Sequence, residues 1–330
     1  MDYWPVIQTG ITLLLIIAIG YIITKCSLIN KETINSTNKF LLRLCYPPLI
    51  FRAVAKQKFS QIDFHPMLIG LLMIVSNYLV CTIIFLYRNE KNFYYYCSST
   101  LPSIYTNFLI IGIPFFEVIW GENTVMVTIL NLTNDIVTVP IYLIVSNIYQ
   151  IKMRNKKHEE SNDGIIEKFS FKILLTIIKN IVLNPIMFGN IISFIWAGIG
   201  WNFCTFIQTL ADIAANGVLA LCLLCVGGFL SQMSIIACPW GQFFFCIFIR
   251  HFMMSFMAAV FCKVLKVDPT LGKQCTILAS LPTATASFLL AHTNETGPGC
   301  ASTLIFFSTI LCVPTMIAWM SVLDALKIFV

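Results

Sequence analysis

The sequence predicts an all-α integral membrane protein of ten transmembrane helices, built as two inverted five-helix repeats with broken fourth and ninth helices. Three observations predict it: an apolar composition, ten hydrophobic windows, and a layout of five windows, one polar loop and five windows. Of the 330 residues, 58% are hydrophobic and 11% are charged, against roughly 25% charged in soluble domains. Mean hydropathy is +0.84. The 21 basic and 15 acidic residues cannot cover the surface of a soluble chain this long. A soluble enzyme, a nucleic-acid binder and a disordered chain are thereby excluded. A span takes about 20 apolar residues, so ten spans leave little room for any soluble domain.

The windows follow from apolar runs bounded by charges, Asn or Gly. The first, 5–24, runs into Lys25 and is too long for a cleavable signal peptide. The second, 38–55, is weakened by Arg43 and Arg52. The third to fifth are 67–87, 94–120 and 124–149. A polar loop over 150–168 follows, basic at Lys152, Arg154, Lys156 and Lys157 and then acidic at Glu159, Glu160 and Asp163. The last five windows are 173–197, 203–230, 235–265, 271–292 and 300–322. The expected organisation is a first repeat over 1–149, a cytosolic loop over 150–170, and a second repeat over 171–330.

Basic residues near the span ends set the orientation. With the N-terminus outside, Lys25, Lys31, Arg88, Lys91, Lys152, Arg154, Lys156, Lys157, Lys168 and Lys172 face the cytosol. The outer side then holds Lys56, Lys58, Lys263, Lys266, Lys273 and Lys327. Both termini are expected on the non-cytosolic side, in the plasma membrane or an endomembrane. The Asn294-Glu-Thr296 sequon falls on the cytosolic side in this topology and is not read as a glycosylation site. Cys222 and Cys225 form a C-x-x-C inside an apolar run and are read as packing residues.

Five spans per half force the second copy into the membrane upside down. The fourth window contains Leu101-Pro-Ser-Ile-Tyr-Thr-Asn-Phe-Leu-Ile110, and the ninth contains Leu281-Pro-Thr-Ala-Thr-Ala-Ser-Phe-Leu-Leu290. Leu, Pro, Phe and Leu coincide at equal offsets, and Asn107 falls opposite Ser287. Proline inside a helix removes a backbone hydrogen bond, and in lipid the freed carbonyls need another partner. Broken helices therefore mark places that line a cavity or pack in protein. The candidate binding residues are Asn107 and Pro114 in the fourth span, and Pro282, Thr283, Thr285 and Ser287 in the ninth. Among ionisable residues, Asp135 and Asp212 are candidates for coupling or a polar network. Lys179, Arg250 and His251 are read as snorkelling toward the interface.

Several stretches together resemble the auxin efflux carrier family of membrane transporters. They begin with Ile19-Gly-Tyr21, Leu28-Ile29, Asn38-Lys-Phe40 and Tyr46-Pro-Pro-Leu-Ile-Phe-Arg52. Asn107-Phe-Leu-Ile-Ile-Gly-Ile-Pro114 follows, with Trp120-Gly-Glu122 and Asp135. Asn184-Pro185, Leu281-Pro282 with Ala291, and Ser302 to Thr309 with Pro314 complete the order. The resemblance implies ten helices in two inverted repeats, a substrate beside the crossing of the fourth and ninth, and an elevator-like shift of one domain against a scaffold. The short loop and the lack of an Asn at the ninth-helix break depart from the plant carriers, so auxin itself is not assumed.

The expected activity is transport of a small organic anion or amphipathic molecule by alternating access. The alternative is a transporter-like sensor or receptor that binds a lipid or small ligand without moving it. No HExxH, GxSxG or P-loop is present, so an enzyme is not expected. The expected partners are the substrate and the lipid bilayer, with a homodimer left open. No cofactor, metal or nucleic acid is expected.

Overall fold

The computed structural model describes residues 3–86, 91–121, 124–161, 168, 170–201 and 204–329. Arg88, Glu122, Asp163 and the expected span ends at Tyr87 and Phe203 lie outside them, as does most of 162–170. Among the described residues the regular structure is helical, and none lies in a strand. The first helices are α1 (Trp4–Lys25), α2 (Lys31–Phe40), α3 (Tyr46–Ala55), α4 (His65–Leu86), α5 (Lys91–Ile104), α6 (Ile113–Trp120), α7 (Val125–Thr133) and α8 (Val139–Ser161). They continue with α9 (Phe171–Val182), α10 (Pro185–Ile199), α11 (Thr205–Leu230), α12 (Trp240–Phe248), α13 (Met254–Val264), α14 (Pro269–Ala279), α15 (Ala286–Thr293) and α16 (Pro298–Ala325).

Among the described residues, six helical stretches are long and apolar enough to cross a bilayer: Trp4–Lys25, His65–Phe85, Val125–Glu159, Thr205–Leu230, Trp240–Val264 and Pro298–Ala325. A seventh is the pair α9 and α10, bent by 63°. Sequence reading expects one span over 173–197, interrupted by Pro185. The bend falls at Leu183 and Asn184, where the Asn184 side chain caps α10 by accepting from Ile186 N–H, 2.9 Å, ahead of Pro185. Cap and proline together start a new helix. The fifth span also overruns its expectation. α8 continues through residues 150–161, which were read as loop, because Lys, Arg and Glu are good helix formers once a helix is running.

Short π-helical turns interrupt four stretches: Leu41–Cys45, Phe108–Gly112, Asn134–Thr138 and Ile249–Met253. Each inserts a residue that loosens the ladder, as π turns near functional sites do. Some freed groups find partners elsewhere. Tyr78 O–H, for example, donates to Thr138 O at 2.9 Å, tying α4 to the Asn134–Thr138 turn.

The helices pack as two groups, each drawing on both sequence halves. In one, α1, α2 and α3 lie against α11, and α3 against α10. In the other, α4, α5, α7, α8 and α12 to α16 pack together, with α6 joined to them through the Phe108–Gly112 turn. The groups meet where α1 touches α6 and α16 and where α3 touches α7. Apolar side chains also cover much of the outside. Phe244, Phe248, Phe252 and Phe256, spaced by four from α12 through the Ile249–Met253 turn into α13, are 44–63% exposed. Such a stripe suits lipid rather than water.

Candidate functional site

The site is where α5 and α6 meet α14 and α15. Helix α5 ends at Ile104, and the chain runs non-helically through Tyr105, Thr106 and Asn107 before resuming at Phe108. Across from it, α14 ends at Ala279 and the chain is irregular from Ser280 to Thr285. These unwound segments pair as a miniature antiparallel bridge between Thr106 and Thr283. Asn107 N–H donates to Pro282 O, and Ala284 N–H donates to Tyr105 O, both at 2.9 Å. Each break thus satisfies backbone groups freed in the other, which is how irregular backbone survives at membrane depth.

Side chains complete the junction. Thr283 Oγ1 donates to Pro102 O at 2.7 Å, and Thr283 N–H donates to Ser308 Oγ at 3.0 Å. Asn134 Nδ2 donates to Thr106 O at 2.9 Å, bringing the Asn134–Thr138 turn against the first break. Next to it Asn131 Nδ2 donates to Asp135 Oδ2 at 3.2 Å, and Asp135 is buried. Close approach also shapes the crossing. A Cβ at Gly112 would sit 2.9 Å from Leu281 Cδ1, so glycine lets the two segments touch.

The predicted residues divide by what remains free on them. Asn107 is buried, and its Oδ1 accepts from Ile110 N–H at 3.3 Å. This caps the following helix, while Nδ2 makes no hydrogen bond among the described residues. Ser287, in the first turn of α15, is fully buried, and its hydroxyl has no partner there. Thr283 is committed to holding the breaks together. Thr285 is half-buried at the start of α15 and makes no capping bond. Pro282 lies inside its break, but Pro114 lies in the first turn of α6, beyond the Phe108–Gly112 turn. Asp212 is elsewhere. It pairs with Arg52 at 3.7 Å and Lys56 at 3.9 Å, between α11 and α3.

Two residues read as snorkelling turn out to belong to the crossing. Arg250 is fully buried in the Ile249–Met253 turn. Its Nη1 donates to Ser103 O (3.2 Å) and Ile104 O (3.0 Å), and its Nη2 donates to Ala279 O (2.6 Å). His251 is buried beside it. Its Nδ1, 3.0 Å from Ser280 O, must carry the hydrogen, since a carbonyl only accepts. The reason lies in helix ends. The last four carbonyls of each helix lack intrahelical partners, and these donors reach Ser103 and Ile104 in α5, Ala279 in α14 and Ser280 just beyond it. The signal available in sequence is an Arg-His pair in an apolar run with no carboxylate three or four positions away. Lys179, by contrast, is exposed on α9.

The family match covers nearly the whole chain. A family model described as membrane transport protein matches residues 5–320. The chain belongs to the auxin efflux carrier family of membrane transport proteins. It is similar to auxin efflux carrier component 8 of Arabidopsis thaliana, at 23% identity over 366 aligned positions, covering 98% of this chain and 99% of that protein. Within this family the apolar helices read as a multi-pass membrane transporter, and the broken pair lies among them.

Proposed function

We propose that this carrier moves a small organic anion by alternating access, with the crossing as its binding site. The ten spans would form two inverted repeats, 1–149 and 171–330, joined by a cytosolic loop over 150–170, with both termini on the opposite side. The observation that carries the reading is the pair of unwound segments bonded to each other in the middle of two helices. Each break leaves a helix N-terminus at the same place, one at Phe108 and one at Ala286. Helix N-termini carry partial positive charge, and broken transporter helices aim such ends at anionic groups. Asn107 Nδ2 and the Ser287 hydroxyl are the free donors that would orient a carboxylate. A neutral amide does this without the desolvation penalty of a buried, unpaired cation.

Movement follows from the packing. The group holding α1, α2, α3, α10 and α11 would act as the scaffold, and the group holding the crossing would slide against it. Thr283 and Asn134 tie the breaks into that second group, so the site would travel as a unit. Uptake of small organic anions by purified protein in liposomes tests this. A carrier accumulates at least one of them above protein-free vesicles. Ligand-induced thermal stabilisation without any flux would instead identify a sensor.

A further inference from the structure

Arg250 has no role in that reading, yet it is the only fully buried arginine among the described residues, at 0% exposure. A buried guanidinium ordinarily needs a carboxylate. None of the ion pairs among the described residues includes Arg250, and Asp135 bonds to Asn131 instead. Its hydrogen-bond partners are all backbone, and its Nε makes no bond among the described residues. Its two terminal nitrogens touch three carbonyls, at Ser103 and Ile104 ending α5 and at Ala279 ending α14. Each helix C-terminus carries about half a negative charge, so two of them amount to roughly the one unit the guanidinium brings.

We propose that Arg250 is the positioning residue of the crossing, an internal counter-charge that clamps the C-terminal ends of α5 and α14 to each other. This rests on the crossing being the anion site. The four helix ends there comprise two partial positives and two partial negatives. With the negatives neutralised by a fixed cation, the two N-terminal ends dominate the field at the site, and an anion is favoured. The fork geometry matters too, since one planar group must reach carbonyls of two helices. Nη1 takes α5 and Nη2 takes α14. His251 extends the clamp by one residue through Ser280 O, and its own carbonyl accepts from Trp319 Nε1–H at 2.8 Å, anchoring the turn to α16.

The test uses the full chain, purified and reconstituted, as wild type, Arg250→Ala, Arg250→Met and Arg250→Lys. Two readouts are followed, the melting temperature and anion uptake, each with guanidinium, urea or potassium chloride at equal millimolar concentration. Arg250→Ala should melt earlier than wild type, and guanidinium should restore both its melting temperature and part of its uptake. Urea, with the same shape and no charge, should restore neither. Arg250→Lys should keep the charge but lose the fork, retaining uptake with a lowered maximal rate. Arg250→Met, similar in volume and neutral, should lose anion uptake even where it folds. Wild-type uptake in Arg250→Met, or equal rescue by urea and guanidinium, would overturn the proposal. The guanidinium-dependent melting shift needs no substrate. A wild type that moved no anion would therefore sink the carrier reading while leaving the Arg250 result legible.

Discussion

The two helix groups hold themselves together in opposite ways, although both sit in the same apolar solvent. Between α1 and α11 the contact is backbone against backbone. A Cβ at Gly227 would lie 1.9 Å from Ile17 O, and one at Gly20 would lie 2.2 Å from Leu224 O. Small residues let helices approach until dispersion and weak backbone contacts hold them, without any hydrophobic drive between them. At the crossing the cohesion is polar. Asn107, Asn134, Arg250, His251 and Thr283 each bond to a backbone group that a helix break left open. The first arrangement holds by close approach of two backbones. The second keeps polar groups where water is scarce, and leaves the Ser287 hydroxyl without a partner among the described residues.

Breaking the apolar contact should have the largest effect. Gly227→Val places branched carbons against the α1 backbone, and neither chain can move aside cheaply. A loss of about 4 kcal/mol or more is expected, seen as failure to purify a monodisperse protein or as a collapsed melting temperature. An equally large change at the crossing, Pro282→Ala, should act differently. It removes a helix breaker but no contact to Asn107, whose partner is the residue 282 carbonyl. Folding should survive while turnover in liposomes falls, because a rewound helix would close the site.

Asp135→Asn sharpens the comparison further. The variant keeps an acceptor for Asn131 and removes the charge. If the buried carboxylate serves the moving substrate or a proton, transport should drop by about tenfold, roughly 1.4 kcal/mol, with the melting temperature little changed. Unchanged transport at several pH values would return Asp135 to helix packing. The smallest effect is expected between the groups. Arg52 Nη2 on α3 is 3.6 Å from Glu117 Oε1 on α6. Both side chains are partly exposed, and such pairs contribute under about 1 kcal/mol. Glu117→Gln should therefore leave stability almost unchanged, and a thermal melt reads that directly.

The apolar support was easy to read in sequence, and the polar site only partly so. Span 1 was anticipated to within a residue at each end, because Lys25 stops an unbroken apolar run. The breaks at Asn107 and Pro282 were also visible, since proline and asparagine among Phe, Leu and Ile announce lost hydrogen bonds. Which hydroxyl would be free was not. Thr283 and Ser287 look alike in sequence, and only the partner across the junction, Pro102 O, uses one and leaves the other. Arg250 was misread for a similar reason. Snorkelling is judged from neighbours along the chain, whereas its partners are carbonyls 29 and 146 residues away. The interruption at Asn184-Pro185 was visible as a proline inside an apolar run, but the size of its bend, 63°, was not.

The central claim is that a substrate sits at the crossing and is held by its free donors. It is tested most directly by measuring anion affinity, as ligand-induced thermal stabilisation together with uptake, for wild type, Asn107→Ala and Ser287→Ala. Asn107 offers an unused amide, while Ser287 offers one hydroxyl. Asn107→Ala should therefore weaken binding more, by about 1–3 kcal/mol for a buried acceptor left unsatisfied, and Ser287→Ala by less. Wild-type affinity in both variants, in protein that still transports, would place the substrate elsewhere and contradict the account.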